Sequence, residues 1–224
     1  INENYQKYLN KRKKLMVIFR GINLEFFDSK SVSERQISEL IKDWKINTDK
    51  FIILLPGRLT KWKGQEMFID SLNFLREEHH KENFHAIILG SDQGREVYTK
   101  KLFNLAQRHR LNNNLSFIGG CKHMPTAYKL ADVVISASIE PEAFGRVAVE
   151  AQAMGKPIIA SDTGGSKETI IKNKSGILFN SGDSRELASA LNKVMELDKD
   201  ALSNMGIEGR NNVIKKYNVD QMCQ

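Results

Sequence analysis

The sequence is poor in cysteine and has no long apolar run. Cys121 and Cys223 stand 102 positions apart, which is neither a metal-ligand spacing nor a disulfide framework and points to a reducing compartment. The apolar runs are strand-sized, so no membrane-spanning helix is expected. The opening residues INENYQKYLNKRKK lack the hydrophobic stretch of a secretory signal. There is no internal repeat and no low-complexity segment. Secretion, membrane spanning and disorder are therefore not expected. What is present is an ordinary globular composition, 41% hydrophobic and 27% charged over 224 residues, enough for one large domain.

The net charge of +7 invites a nucleic-acid or membrane-surface reading, but it is unevenly spread. Lys7, Lys11, Arg12, Lys13, Lys14 and Arg20 against Glu3 leave +5 in residues 1–20, and the remaining 204 residues carry only +2. The leader reads as a solvated linker, with a peripheral contact to anionic membrane as its secondary expectation. Trp44 and Trp62 are too far apart for a base-stacking platform and no recognition helix is evident, so nucleic acid is not an expected partner.

Continuous β-branched runs predict strands buried on both faces at Leu15–Phe19, Phe51–Leu55, Phe84–Leu89, Leu115–Ile118, Val133–Ile135, Pro157–Ala160 and Gly176–Phe179. Amphipathic stretches predict helices at Gln65–Arg76, with Met67, Phe68, Leu72 and Leu75 inward, and at Val97–Arg108, with Val97, Leu102, Leu105 and Ala106 inward. Further helices are expected over Arg146–Met154, Arg185–Leu197 and Ala201–Lys216. This alternation predicts an α/β fold, a doubly wound parallel sheet of Rossmann-like type, with all strand carboxyl ends on one edge.

Five loops follow consecutive strands and should converge on that edge. Gly57-Arg58-Leu59-Thr60-Lys61-Trp62-Lys63-Gly64 offers two glycines for a tight turn and two cations suited to a diphosphate, Arg58 as a bidentate donor and Lys63 as a point charge. In Glu140-Pro141-Glu142-Ala143-Phe144-Gly145-Arg146, Pro141 is placed where a helix can begin. Glu142 would project from the loop, and Glu150 lies two helical turns beyond it. Paired carboxylates suit vicinal sugar hydroxyls, although Arg146 and Glu150 equally suit an i, i+4 ion pair. Ser161-Asp162-Thr163-Gly164-Gly165-Ser166 allows close backbone approach, with Ser166 as a candidate cap. Gly90-Ser91-Asp92-Gln93-Gly94 and Gly119-Gly120 are of the same class. Together the loops describe a nucleotide-diphosphate site. His85 and His123 are isolated, and Asp198-Lys199-Asp200 reads as a helix cap rather than a metal pair.

The run from Glu142 through Glu150 to Glu168 closely resembles the Glu-x7-Glu signature of glycosyltransferase family 4, and Gly57-Arg58…Lys63-Gly64 resembles its diphosphate loop. Arg20-Gly21-Ile22-Asn23…Phe27 is similar to the segment that leads into the family's second domain, although Arg20 stands where an Asn is common. The resemblance covers residues 15–220. It implies the GT-B fold, a nucleotide-sugar donor, transfer with retention of anomeric configuration, and no metal or other cofactor. By it, Arg58 and Lys63 would hold the diphosphate and stabilise the departing nucleotide. Glu142 would contact hydroxyls of the donor sugar with the Phe144 and Gly145 N–H groups beside the phosphate or sugar, and Gly57 and Ala143 would belong to the donor site. Glu150 would hold the ribose, the Gly119–Lys122 turn, with Cys121 and Lys122, would edge the base, and Gly164 and Gly165 would line the donor pocket.

The resemblance further implies that residues 1–20 end a missing amino-terminal Rossmann-like domain and residues 21–224 form the donor domain, inactive alone. The implied acceptor is a glycan or lipid-linked cell-envelope molecule, a polysaccharide or lipopolysaccharide, and the implied place is the cytoplasm or the inner face of the plasma membrane. A non-catalytic nucleotide-binding module and a GT-B sugar epimerase are the alternatives.

Overall fold

The computed structural model describes residues 20–222. The expected strand Leu15–Phe19, most of the basic leader and Cys223 lie outside the described residues. The strands are β1 (Phe51–Pro56), β2 (Phe84–Leu89), β3 (Leu115–Ile118), β4 (Val133–Ser136), β5 (Ile158–Ser161) and β6 (Gly176–Phe179). The helices are α1 (Glu34–Trp44), α2 (Gln65–Glu77), α3 (Glu96–Arg108), α4 (Met124–Leu130), α5 (Arg146–Ala153), α6 (Ser166–Thr169), α7 (Ser184–Met195), α8 (Lys199–Lys216) and α9 (Val219–Met222).

The strands form one sheet in the order β3-β2-β1-β4-β5-β6, and every pairing is parallel. This is the doubly wound Rossmann-like α/β fold. Side chains alternate along each strand, and both faces are covered, so the runs read as continuously apolar. Ile53 and Leu55 of β1 enter the core with Phe68, Leu72, Leu102 and Leu187, from α2, α3 and α7. Ile52 and Leu54 enter the opposite core with Ala127, Tyr128, Val149 and Val213, from α4, α5 and α8. Truncating a fully buried leucine such as Leu54 to alanine costs about 2–5 kcal/mol.

Three expectations need correction. Val97 is 88% exposed; the inward face of α3 is Tyr98, Leu102, Leu105 and Ala106, one position out of register from the expected stripe at its start. Pro141 does not begin a helix: α5 starts at Arg146 behind Gly145, whose φ of 73° gives a left-handed turn into the helix. Ser166 is not a cap; Gly165 occupies the N-cap of α6, without a side-chain hydrogen bond. The Asp198 expectation holds, because its carboxylate accepts from the Ala201 N–H at 2.7 Å.

The neighbouring strands β1 and β4 carry crossovers to opposite sides, and such a switch point opens a crevice at the strand carboxyl ends. The two ends of the described chain meet. Ile22 N–H donates to the Tyr217 carbonyl at 2.9 Å and Val219 N–H to the Ile22 carbonyl at 3.2 Å. Gly21 leaves room for Val219, whose Cα would lie 2.4 Å from an added Cβ. Among the described residues, no helix is long and apolar enough to cross a membrane.

Candidate functional site

The loops after β1 and β4 are stitched together at the switch point. Ile139 N–H donates to the Trp62 carbonyl at 2.8 Å. Gly64 packs so tightly that an added Cβ would lie 1.9 Å from the Ala137 carbonyl oxygen. The loop after β2 joins them: Leu59 N–H donates to the Ser91 carbonyl at 3.0 Å, and a Cβ on Gly90 would meet the Gly57 carbonyl at 1.9 Å.

The loop after β5 closes the other side. Gly165 N–H donates to the Glu142 carbonyl at 2.7 Å. A Cβ on Gly164 would lie 2.4 Å from that carbonyl oxygen, and one on Gly165 would lie 2.5 Å from the Phe144 carbonyl carbon. The paired glycines thus let one loop lie directly on the backbone of the other.

On this scaffold Lys63 and Glu142 meet, Nζ to Oε1 at 2.7 Å, with side chains only 13% and 16% exposed. The same carboxylate oxygen accepts a hydrogen bond from the buried Ser138 hydroxyl. The Lys63 stem lies over Gly57, and its ammonium sits 4.4 Å from the centre of the Trp62 ring, within cation–π range. Arg58 is exposed, and no described residue pairs with its guanidinium. Its carbonyl is fixed by the Gln65 amide at 2.9 Å.

Glu150 is buried under the start of α5. Its Oε1 accepts from Arg146 Nε at 3.1 Å and Nη2 at 2.7 Å, and Oε2 accepts from the Tyr128 hydroxyl at 2.8 Å. The hydrogen bond to Glu150 and its charge raise the Arg146 pKa. Burial, reinforced by the Glu150 charge, holds the Tyr128 hydroxyl well above its ordinary pKa, so it remains a donor. A carboxylate offers about four acceptor sites, so three hydrogen bonds leave Glu150 able to accept one more.

Ahead of α5, the N–H groups of Phe144, Gly145 and Arg146 find no partner among the described residues. Free N–H groups at a helix start favour an anion. The Phe144 ring meets Tyr217 edge to face at 5.9 Å, which links this loop to the carboxyl-terminal segment.

Cys121 and Lys122 stand apart from this cluster. With Gly120, His123 and Thr126 they face α1 residues Glu39, Asp43 and Trp44 across a cavity of about 370 Å³. The Cys121 thiol donates to the His123 carbonyl at 3.3 Å, and burial raises its pKa. A larger cavity, about 870 Å³, opens beside the start of α3 between Thr60, Lys61, Arg95, Val97 and Lys101. It borders the β1 loop but contains none of Arg58, Lys63, Glu142 or Glu150. Among the described residues, no three His, Cys, Asp or Glu side chains gather to hold a metal ion.

Reasoning from sequence missed Ser138 and Tyr128 as supports of Glu142 and Glu150, and Trp62 as the support of Lys63. Trp62, between two lysines of the diphosphate loop, was the one with a visible signal.

The doubly wound sheet brings its glycine-rich loops, Lys63 and Glu142 to the switch point, where α/β domains of this kind bind ligands. Residues 36–212 match glycosyl transferases group 1, and the chain belongs to that family. It is 31% identical over 211 residues to an uncharacterised glycosyltransferase of Methanocaldococcus jannaschii, a match that covers 94% of this chain and 52% of that protein. Among solved structures it resembles a glycosyltransferase of Rickettsia africae, at 28% identity and TM-score 0.90, covering 98% of this chain and 59% of that one. It also resembles the HepE protein of Anabaena in complex with UDP and glucose, at 29% identity and TM-score 0.82, covering 92% and 54%. The chain thus spans about half the length of the curated relatives it matches. These neighbours are GT-B glycosyltransferase domains, and HepE has also been solved in complex with UDP-glucose.

Proposed function

We propose that this chain is the donor-binding domain of a retaining, metal-independent hexosyltransferase of glycosyltransferase family 4. The observation that carries the reading is the convergence of the Arg58–Lys63 loop, Glu142 and the N–H groups before α5, which find no partner among the described residues, at one switch point. Arg58 and Lys63 bind the donor diphosphate and stabilise the charge that grows on the departing nucleotide, the task a divalent cation would otherwise perform. The Phe144 and Gly145 N–H groups face the phosphate or the sugar. Glu142, beside Ala143 on the same loop, accepts from hydroxyls of the donor sugar, and Glu150 accepts from the ribose. Gly57, Gly164 and Gly165 keep side chains out of the donor's path, and Cys121 and Lys122 edge the base.

In the whole protein, residues 1–20 lead from a preceding Rossmann-like domain into the donor domain at residues 21–224. The acceptor binds mainly on that preceding domain. It is a glycan or lipid-linked molecule of the cell envelope, in polysaccharide or lipopolysaccharide synthesis, reached from the cytoplasm with the basic leader against anionic lipid. This chain alone binds the donor and transfers no sugar. The test is calorimetric titration with UDP-, GDP- and ADP-sugars, with Mg²⁺ and with EDTA. The reading predicts saturable binding of one of them, undiminished by EDTA. Binding of none, or only with Mg²⁺, contradicts it.

A further inference from the structure

The two side chains assigned to opposite ends of the donor are bound to each other. Lys63 Nζ lies 2.7 Å from Glu142 Oε1, and that oxygen also accepts from Ser138. Glu142 Oε2 has no partner among the described residues. The carboxylate is held from behind: Ser138 is buried, and the Ser181 hydroxyl contacts the Ser138 and Ile139 carbonyls at 3.3 and 3.2 Å. The Lys63 stem lies over Gly57, and its ammonium lies over the Trp62 ring. Arg58, by contrast, is free among the described residues.

Resting on the donor-site reading above, we propose that Glu142 is an internal counter-ion that occupies Lys63 until a diphosphate replaces it. A largely desolvated ammonium needs a negative partner, and separating the pair with nothing to substitute is costly. A diphosphate supplies more than one negative charge at the same place, with Arg58 already available to receive it. Lys63 then turns from carboxylate to phosphate, and Glu142 Oε1 gains a vacant acceptor site for sugar hydroxyls. Diphosphate binding and release of Glu142 Oε1 are one event, so a free sugar meets a Glu142 whose Oε1 is still engaged.

The test is titration of the chain and its Glu142→Gln, Lys63→Met and doubly substituted forms with UDP, GDP and ADP, and with the matching nucleosides. Glu142→Gln is expected to bind the preferred nucleoside diphosphate about tenfold more tightly than the unsubstituted chain, with nucleoside affinity unchanged. Lys63→Met weakens the diphosphate, and Glu142→Gln adds nothing in that background. Equal or weaker binding by Glu142→Gln overturns the inference. So does a gain that persists with Lys63→Met, because the carboxylate then merely repels phosphate. In the unsubstituted chain, the ¹⁵N signal of the Lys63 ammonium should move on addition of the diphosphate and stay in place with glucose; an unmoved signal in bound protein overturns the inference whether or not the variants fold. If no form binds any nucleotide, the donor-site reading falls and the inference with it. If nucleotide binds without these couplings, only the inference falls.

Discussion

At the scale of single residues, chemistry and packing make separable demands. Arg58 is unpaired among the described residues and Lys63 is committed to Glu142. Replacing either with alanine is expected to weaken nucleoside-diphosphate binding about tenfold to a hundredfold and leave nucleoside binding unchanged, as calorimetry would register. Gly164 makes a different demand. Its φ is +54°, and an added Cβ would lie 2.4 Å from the Glu142 carbonyl oxygen. Gly155, at φ +68° with nothing within 4 Å of such a Cβ, isolates the backbone cost alone. Gly164→Ala should therefore lose at least about 1 kcal/mol more than Gly155→Ala in urea unfolding, because its loop must also move. It should weaken donor binding, which Gly155→Ala should not.

At the scale of elements, the register of α3 is open to a direct check. Leu102→Ala should cost about 2–5 kcal/mol, whereas Val97→Ala, on the solvent side, should stay within about 0.5 kcal/mol. In β2, His85 is buried with Nε2 2.9 Å from the Ser116 hydroxyl. Burial, with a smaller contribution from the Lys50 charge, lowers its pKa in the folded chain. The unfolded chain therefore takes up the proton first, and this contribution is complete above the ordinary histidine pKa of about 6.5 and lost as pH falls below it. Unfolding midpoints of the unsubstituted chain should decline below that pH more steeply than those of His85→Gln.

The strands were legible because burial on both faces leaves unbroken apolar runs; β2, β3 and β6 fall on their expected limits. Helix α1 was not legible, because none of its residues is fully buried and its sequence ERQISELIKDW is mostly polar. Its one strong signal was the capping box between Ser33 and Gln36. Helix α4 is only seven residues long, too short for a helical period to stand out. The site was legible as loops but not as contacts. Lys63 and Glu142 lie 79 positions apart, and Tyr128 and Glu150 lie 22 apart. Spacing along the chain carries no trace of either pair.

At the scale of the molecule, the sheet order decides where everything sits. Because β1 and β4 are neighbours whose crossovers diverge, their loops face one crevice, and the loop after β5 is drawn onto it by Gly164 and Gly165. The two ends of the described chain clasp at Ile22 and Tyr217–Val219, and the Tyr217 ring reaches Phe144 of the same crevice. The central claim is that nucleotide binds at this switch point and not in the larger cavity beside α3. Hydrogen–deuterium exchange of the chain with and without UDP, in EDTA, tests it most directly. Slowed exchange should appear at residues 57–64 and 142–150. Protection confined to residues 94–101, or none at a saturating concentration of bound UDP, would contradict the claim.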